Sequence, residues 1–220
     1  MLSNKPTQSS IAVVETVPFV SGPLIDKLSV CVNYTDPDLR QDIRVGLYQQ
    51  ANDVSAGIIS ASGKSGGYKI GLRLHFPLPE GTFSRDHALI QADPYNQSAP
   101  FIRCEFNPAK AGPSGIDELK LFLLVATPGG YKDFIASGRV TRLDLAVDVP
   151  GVDVDRICIR FKRTRAGCVF TGADGGLETL YSGRSRGNQL VVYDRLKKLG
   201  KKEAHCATET VTRIEVRLKE

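Results

Sequence analysis

Cysteine and histidine are scarce in this sequence, and neither is arranged as a metal site. The five cysteines are odd in number and include no Cys-x-x-Cys pair, and no two of the three histidines are two residues apart. Structural zinc sites need closely spaced pairs of such ligands. The pattern therefore excludes a zinc module and a paired-histidine metal motif, and it favours reduced thiols in a cytoplasmic protein.

Long apolar runs are absent as well. The nearest candidate, residues 119–126, is far shorter than the roughly 20 apolar residues that a membrane span needs. The N-terminus has no basic region followed by an apolar run. The sequence thus predicts neither a secreted protein nor one that spans a membrane.

Two common catalytic loops are also missing. Gly63-Lys64-Ser65 lacks the earlier glycine of a phosphate-binding loop, and a strand rather than a helix is predicted after it. No Gly-x-Ser-x-Gly elbow occurs anywhere in the chain. Nothing therefore indicates a nucleotide triphosphatase or a serine hydrolase of that type.

Positive charge is plentiful, and it is concentrated in one region. Residues 156–202 contain twelve Lys/Arg and three Asp/Glu, a local net charge of +9, which leaves −4 for the rest of the chain. Positive charge concentrated in this way attracts a polyanion, and binding releases the counterions of that polyanion. The alternative is a solvated basic surface with no specific partner.

The order of predicted elements divides the chain into an arm and two halves. Residues 1–26, with three prolines among small polar residues, are predicted to form an extended N-terminal arm. Residues 27–137 and 138–220 each follow the order strand, helix or turn, then several antiparallel strands, either as two halves or as one continuous domain. Arg103-Cys104-Glu105 and Arg213-Ile214-Glu215 lie in matching strands, which is compatible with an internal duplication.

Strict alternation of apolar and polar residues marks the strands. In 141–148, three apolar side chains point to one face, while Arg142, Asp144 and Asp148 point to the other. The last strand, 212–219, repeats this arrangement. The predicted fold is α+β: an antiparallel sheet with helices packed on one face and an open polar face on the other. Such a polar face is a natural platform for nucleic acid.

The polar face would carry a hydroxyl nucleophile, Tyr193, on the strand 188–193. A phenol has a pKa near 10, so only about one molecule in a thousand is ionised at neutral pH, and a nucleophilic tyrosine needs activation. Arg195, two residues further on, could neutralise a phosphate oxygen or the phenolate. The structural alternative for Tyr193 is a half-buried aromatic that suits a strand.

Three carboxylates of the same face, Asp144, Asp148 and Glu215, could hold a divalent cation. Oxygen-only ligands favour Mg²⁺ or Mn²⁺ over zinc. The structural alternative is a set of salt bridges with neighbouring arginines on an exposed strand face.

In their order and spacing, these motifs resemble the replication initiation factor (Rep_trans) family of rolling-circle plasmids and filamentous phages. The residues that carry the resemblance are Phe106-Asn107-Pro108, Arg142-x-Asp144-x-Ala146-x-Asp148, Thr179-Leu180-Tyr181-Ser182-Gly183-Arg184, Val192-Tyr193-Asp194-Arg195 and Arg213-x-Glu215. The resemblance implies a DNA-nicking initiator that binds an origin as a hairpin or single strand, cleaves one strand with a tyrosine, and stays attached to the 5′ phosphate until it rejoins the strand.

The resemblance assigns the nucleophile to Tyr193 and the metal carboxylates to Asp144 and Glu215, with Asp148 as a further candidate. The segment between Tyr181 and Tyr193 is one residue shorter than the family pattern, which keeps Tyr181 as the alternative nucleophile. A host helicase partner and a homodimer stay open. The basic residues predicted to contact DNA are Lys162, Arg163, Arg165, Arg184, Arg186 and Lys219.

Two rival functions use the same sheet. A non-catalytic regulator of phage or plasmid replication or transcription would keep the DNA-binding surface without cutting. An RNA-binding sheet protein fits less well, because the predicted polar face lacks the aromatic pairs on which such modules stack bases.

Overall fold

The computed structural model of the protein describes residues 21–60, 66–158, 166–173, 175–184, 187–199 and 210–220. The strands are β1 (Leu24–Val32), β2 (Ile58–Ser60), β3 (Tyr68–Pro77), β4 (Phe83–Pro94), β5 (Ile102–Phe106), β6 (Arg139–Pro150), β7 (Gly167–Thr171), β8 (Leu177–Gly183), β9 (Gln189–Asp194) and β10 (Val211–Lys219). The described helices are α1 (Pro37–Gln50), α2 (Pro108–Ala126), α3 (Gly130–Ser137) and α4 (Arg195–Leu199).

All ten strands form one antiparallel sheet in the order β2-β3-β4-β5-β1-β6-β10-β9-β8-β7. The two halves of the chain build the two halves of this sheet with the same connectivity. In each half the first strand (β1 or β6) lies at the centre of the sheet and pairs with the last strand of that half (β5 or β10). The remaining strands follow outward in descending number, from β4 to β2 on one side and from β9 to β7 on the other. The two central strands, β1 and β6, pair antiparallel. The halves are therefore related by an approximate two-fold axis between β1 and β6.

Local sequence explains where α1 begins. The Asp36 carboxylate accepts hydrogen bonds from the backbone N–H groups of Asp38 (2.9 Å) and Leu39 (3.4 Å), and Pro37 takes the first helical position. Ile43 and Leu47, four residues apart on one face, are buried against the sheet.

The second helix is broken near its start. Asn107 caps it by accepting a hydrogen bond from the Lys110 N–H at 3.0 Å. Gly112 then adopts a left-handed conformation (φ +60°) immediately before Pro113, which separates the first turn from the long apolar segment. Gly115 lies so close to Phe76 of β3 that a β-carbon there would come within 2.7 Å of its ring. The glycine thus permits close packing of helix on sheet.

Helices α1, α2 and α3 cover one face of the first half of the sheet. The core between them contains apolar side chains of β1 and β3 to β5, together with Ile43, Leu47, Leu119, Leu123 and Phe134 from the helices. Burial of one such large side chain contributes about 1.5–3 kcal/mol. The predicted α+β fold, with helices on one face of an antiparallel sheet, is confirmed. None of the described helices is long and apolar enough to cross a membrane.

The second half of the sheet differs from the expected pattern of covered apolar and open polar faces. Its buried apolar cluster is small, with Val154, Leu190 and Val192 at its centre. On β6 and β10 the apolar residues Leu145, Val216 and Leu218 remain between 36% and 38% exposed. The polar side chains opposite them are the buried ones: Asp144, Asp148, Arg213 and Glu215.

The polar face is therefore closed, rather than open, at the centre of the second half. The physical reason is that long arginine side chains lie along the sheet with their charged ends on the carboxylates, so that their methylene groups and the ion pairs exclude water. Helix α4 adds to this cover, because the ammonium group of Lys198 lies above the ring of Tyr193 on the same face.

Candidate functional site

A cleft of about 450 Å³ opens at one end of the polar face, where β9 runs into α4. Both halves of the chain line it. The second half contributes Tyr193, Arg195, Lys198 and Arg213, and the first half contributes Asp26, Lys27, Arg85, Asp86, His87, Leu89, Glu105, Phe106, Asn107 and Lys110. Six of these side chains are Lys or Arg and three are Asp or Glu, so the cleft has a net positive charge and suits an anionic ligand.

Tyr193 lies on β9 directly opposite Arg213 of β10 and is 4% exposed. The Lys198 Nζ is 3.9 Å from the centre of its ring. Burial, followed by the negative charge of the nearby Glu215, raises the pKa of the Tyr193 phenol well above its ordinary value. The phenol is therefore neutral at physiological pH and needs a base if it is to react.

Glu215 is the carboxylate whose charge acts most strongly on that phenol. Its Oε1 accepts a hydrogen bond from Arg217 Nε at 2.6 Å, while its buried Oε2 has no hydrogen bond of normal geometry in the described part of the chain. Burial alone would raise the pKa of Glu215, but Arg217 and Lys198 outweigh burial and hold the pKa below its ordinary value. An ionised carboxylate beside a neutral hydroxyl is the arrangement of a general base and its nucleophile.

Asp148, predicted as a metal ligand, is held by two arginines. Its oxygens accept hydrogen bonds from Arg213 Nε (2.7 Å), Arg213 Nη2 (2.9 Å) and Arg195 Nη1 (2.6 Å). Although burial opposes it, these ion pairs lower the pKa of Asp148. Arg195, predicted to stabilise charge at the reaction centre, does line the cleft, but one of its nitrogens is engaged by Asp148.

Asp144 lies further along β6 and does not line the cleft. Arg142 grips it from two positions earlier on the same strand, with Nε 2.9 Å from Oδ1 and Nη2 2.6 Å from Oδ2. On the neighbouring strand Asp144 faces Arg217, whereas Glu215 faces Ala146. Asp144 and Glu215 are therefore diagonal neighbours, with α-carbons about 7–8 Å apart.

The three carboxylates do not converge on one point, and each is paired with an arginine. Asp144 and Asp148 are four positions apart on one strand, which separates their α-carbons by about 13 Å. Among the described residues, no three His, Cys, Asp or Glu side chains lie close enough together to hold a metal ion. A cation bound by Asp144 and Glu215 would require Arg142 to release the two oxygens of Asp144, whereas Glu215 could offer its Oε2. The metal site stays a prediction.

The alternative nucleophile, Tyr181, lies on β8 opposite Val191, which makes it a diagonal neighbour of Tyr193, but it does not line the cleft. Its ring meets Phe170 edge-on, with 5.7 Å between ring centres, and the Arg217 guanidinium lies 5.9 Å from the centre of the Tyr181 ring. It lines a shallow second pocket together with Arg184. The two candidate tyrosines therefore belong to different surface depressions.

The predicted DNA contacts fall into two groups. Arg184 lies near Tyr181, and Lys219 lies near Arg142. Neither lines the Tyr193 cleft. The remaining predicted contacts lie outside the described residues: Lys162, Arg163, Arg165 and Arg186.

Sequence reasoning missed several cleft residues. In the sequence Lys198 is only one of the twelve basic residues of 156–202, and its position above Tyr193 depends on the turn into α4. Arg85, His87 and Lys110 carried no motif at all, because they reach the cleft from the other half of the sheet. The matching Arg103-x-Glu105 and Arg213-x-Glu215 pairs were the one available signal that both halves share a polar face.

The geometry brings Tyr193, Lys198 and Arg195 to the cleft, with the buried Glu215 close to Tyr193, and leaves Asp144 and Tyr181 outside the cleft lining. The family resemblance drawn from the motifs stays a prediction. A scan against protein-family models finds no match to this chain, and a search of curated proteins finds none either.

Proposed function

We propose that the protein nicks and rejoins origin DNA through Tyr193 and thereby starts rolling-circle replication of a plasmid or filamentous phage. The observation that carries this proposal is the neutral Tyr193 phenol beside the ionised Glu215 carboxylate, at a cleft with a net positive charge. A hydroxyl nucleophile, a base next to it and surrounding cations are the groups that transfer of a phosphodiester to a tyrosine requires.

In the proposed reaction the Tyr193 hydroxyl oxygen attacks the phosphorus of one DNA linkage. Glu215 takes the phenolic proton as the new oxygen–phosphorus bond forms. The bond from phosphorus to the 3′ oxygen breaks, and that oxygen leaves with a proton from solvent. The products are a free 3′ hydroxyl and a 5′ phosphate esterified to Tyr193. Attack by a 3′ hydroxyl on this ester reverses the steps and rejoins the strand.

The cations of the cleft supply electrostatic stabilisation in this scheme. Lys198 Nζ, 3.9 Å from the Tyr193 ring centre, is placed to stabilise negative charge that develops on the phenolic and phosphate oxygens. Arg213, opposite Tyr193, is held rigidly by Asp148 and Asp26 at 2.7–2.9 Å. A fixed cation stabilises a transition state without the cost of reorganisation.

A second candidate is the non-catalytic DNA-binding regulator. Two observations favour it: Tyr193 is almost wholly buried, and Asp144, Asp148 and Glu215 are all paired with arginines. Both are expected of a polar network whose role is structural. In this reading the polar network stabilises the sheet, and the basic loops bind DNA.

The experiment that separates the two uses covalent capture. Overlapping single-stranded oligonucleotides from both strands of the replicon, labelled at the 3′ end, are incubated with the protein, with Tyr193→Phe and with Tyr181→Phe, in Mn²⁺ and in EDTA. The nickase predicts a labelled adduct on a denaturing gel that Tyr193→Phe abolishes and Tyr181→Phe retains. Loss with Tyr181→Phe alone moves the nucleophile, and specific binding without an adduct from any protein supports the regulator.

A further inference from the structure

Arg85 and Lys198 differ from the other basic residues of the cleft, because neither forms an ion pair with a described carboxylate. The other four are engaged: Lys27 with Glu105 (2.9 Å), Lys110 with Asp86 (2.8 Å), and Arg195 and Arg213 with Asp148 (2.6 and 2.7 Å). Arg85 is exposed on β4 of the first half, and Lys198 is exposed on α4 of the second. Each half of the chain therefore contributes one uncompensated cation to the same cleft.

An uncompensated cation beside a cleft is available to an incoming anion, whereas a paired one must first give up its partner. The cleft volume, about 450 Å³, lies within the range of small-ligand sites although residues of both halves line the cleft, so the cleft is narrow. A duplex is too wide to enter it. The ligand that fits this shape and charge is a single strand of DNA.

We propose that both halves of the sheet grip one single strand of DNA, with Arg85 binding a phosphate some nucleotides away from the linkage held at Tyr193. This inference rests on the proposed function, since it places the strand that Tyr193 would cut. Arg85 is a positioning residue here: it contacts the strand but not the reacting atoms.

The sheet sets the length of strand between the two contacts. Four strands separate β4 from β9, so the two lie about 24 Å apart at about 4.8 Å per strand spacing. A stacked single strand places one phosphate every 3.4 Å, so at most about seven phosphates bridge this distance. Oligonucleotides that are much shorter cannot reach both Arg85 and Tyr193.

Neighbours of Arg85 on the same face suit the bases of such a strand. His87 and Leu89 follow Arg85 at alternate positions of β4 and also line the cleft. The His87 ring lies 5.1 Å from the ring of His75 on the neighbouring strand, with 47° between the two ring planes, so two imidazoles lie close to Arg85. Imidazole and apolar side chains accept stacked bases of any sequence.

The test measures non-covalent binding in the Tyr193→Phe background, so that no adduct forms. Fluorescence anisotropy compares Arg85→Ala with Lys132→Ala, an exposed lysine of α3 on the helix-covered face that loses the same charge. For a single strand of about ten nucleotides, Arg85→Ala should bind about fivefold to tenfold more weakly near 0.1 M salt, with a salt slope smaller by about 0.7. Arg85→Lys should restore most of the loss, and Lys132→Ala should bind normally.

Two further measurements make the proposal falsifiable. With a strand of about three nucleotides, and with the ten-nucleotide strand in a duplex, Arg85→Ala should bind like the control. Binding of the longer single strand that is unchanged by Arg85→Ala, or an equal loss on the duplex, overturns the proposal.

The covalent assay distinguishes failure of this inference from failure of the proposed function. If Tyr193 forms the adduct but Arg85→Ala binds single strands normally, the nickase stands and the two-sided grip is wrong. If no adduct forms with any protein but Arg85→Ala still weakens single-strand binding in the length-dependent way, the grip stands and the nickase is wrong.

Discussion

Arg213 of β10 donates hydrogen bonds to both carboxylate oxygens of Asp148 on β6, at 2.7 and 2.9 Å. Its remaining nitrogen donates to Asp26 of the first half at 2.8 Å. Arg213 therefore links β10 and β6 of the second half to β1 of the first half at the edge of the cleft. Burial and tight geometry give it a role in stability as well as in shaping the site.

Loss of this pair should destabilise the protein strongly. Arg213→Ala leaves Asp148 buried with only the partly exposed Arg195, and removal of one partner of a buried ion pair costs about 3–5 kcal/mol. We expect a loss of about 2–4 kcal/mol in the free energy of unfolding, measured by urea denaturation. Arg156→Ala, at an exposed ion pair of 3.9 Å, is the control and should change the stability by less than about 1 kcal/mol. Equal effects of the two substitutions would contradict this role.

Stability should fall in acid because of the paired carboxylates. The folded state lowers the pKa of Asp148 and Glu215 below their ordinary values of 3.8 and 4.5. The unfolded state therefore takes up protons first, and the stabilisation present above about pH 4.5 is lost as the pH falls through the folded pKa values. Urea denaturation at a series of pH values should show this decline, and Asp148→Asn should flatten it. If the stability of Asp148→Asn fell with pH as steeply as that of the parent, the acid sensitivity would come from other groups.

Stability should also fall in strong alkali because of Tyr193. The folded state raises the pKa of its phenol above the ordinary value of 10.0. The stabilisation is complete below pH 10 and is lost as the pH rises through the folded pKa, because the unfolded state then loses its proton first. Ultraviolet titration should find one tyrosine that ionises last, and Tyr193→Phe should remove it. Tyr181→Phe is the matched control.

Lys198 should matter for the reaction more than for the fold. Lys198 is an exposed residue, but its ammonium group is partly desolvated. This desolvation and the charges of the nearby arginines lower the pKa of Lys198. If it stabilises charge on the phenolic and phosphate oxygens, Lys198→Ala should slow adduct formation by about tenfold to a hundredfold, while the urea midpoint stays near that of the parent. A quenched-flow adduct assay measures the rate, with Lys132→Ala as control. An unchanged rate would assign Lys198 to covering the tyrosine ring only.

Several elements were predictable because their causes are local. The Asp36-Pro37 pair that starts α1 is a cap and a first-turn proline adjacent in sequence, and alternation predicted β6 and β10 to within a few residues. Three short elements were missed: β2, α3 and α4. Helix α3 begins at Gly130 after a left-handed Gly129 with no side-chain cap, and it is held by Phe134 in the core. Such an element depends on tertiary packing and has almost no sequence signature.

The properties of the candidate site can likewise be divided into those that the local sequence determines and those that depend on tertiary packing. Alternation alone placed Tyr193, Asp144, Asp148 and Glu215 on one face of the sheet, because side chains on a strand point up and down in turn whatever surrounds them. Only the tertiary structure decided which carboxylate meets which arginine, that Lys198 covers Tyr193, and that Arg85 lines the same cleft from the other half. Those relationships depend on strand order and register between residues far apart in the chain, and no local pattern encodes them.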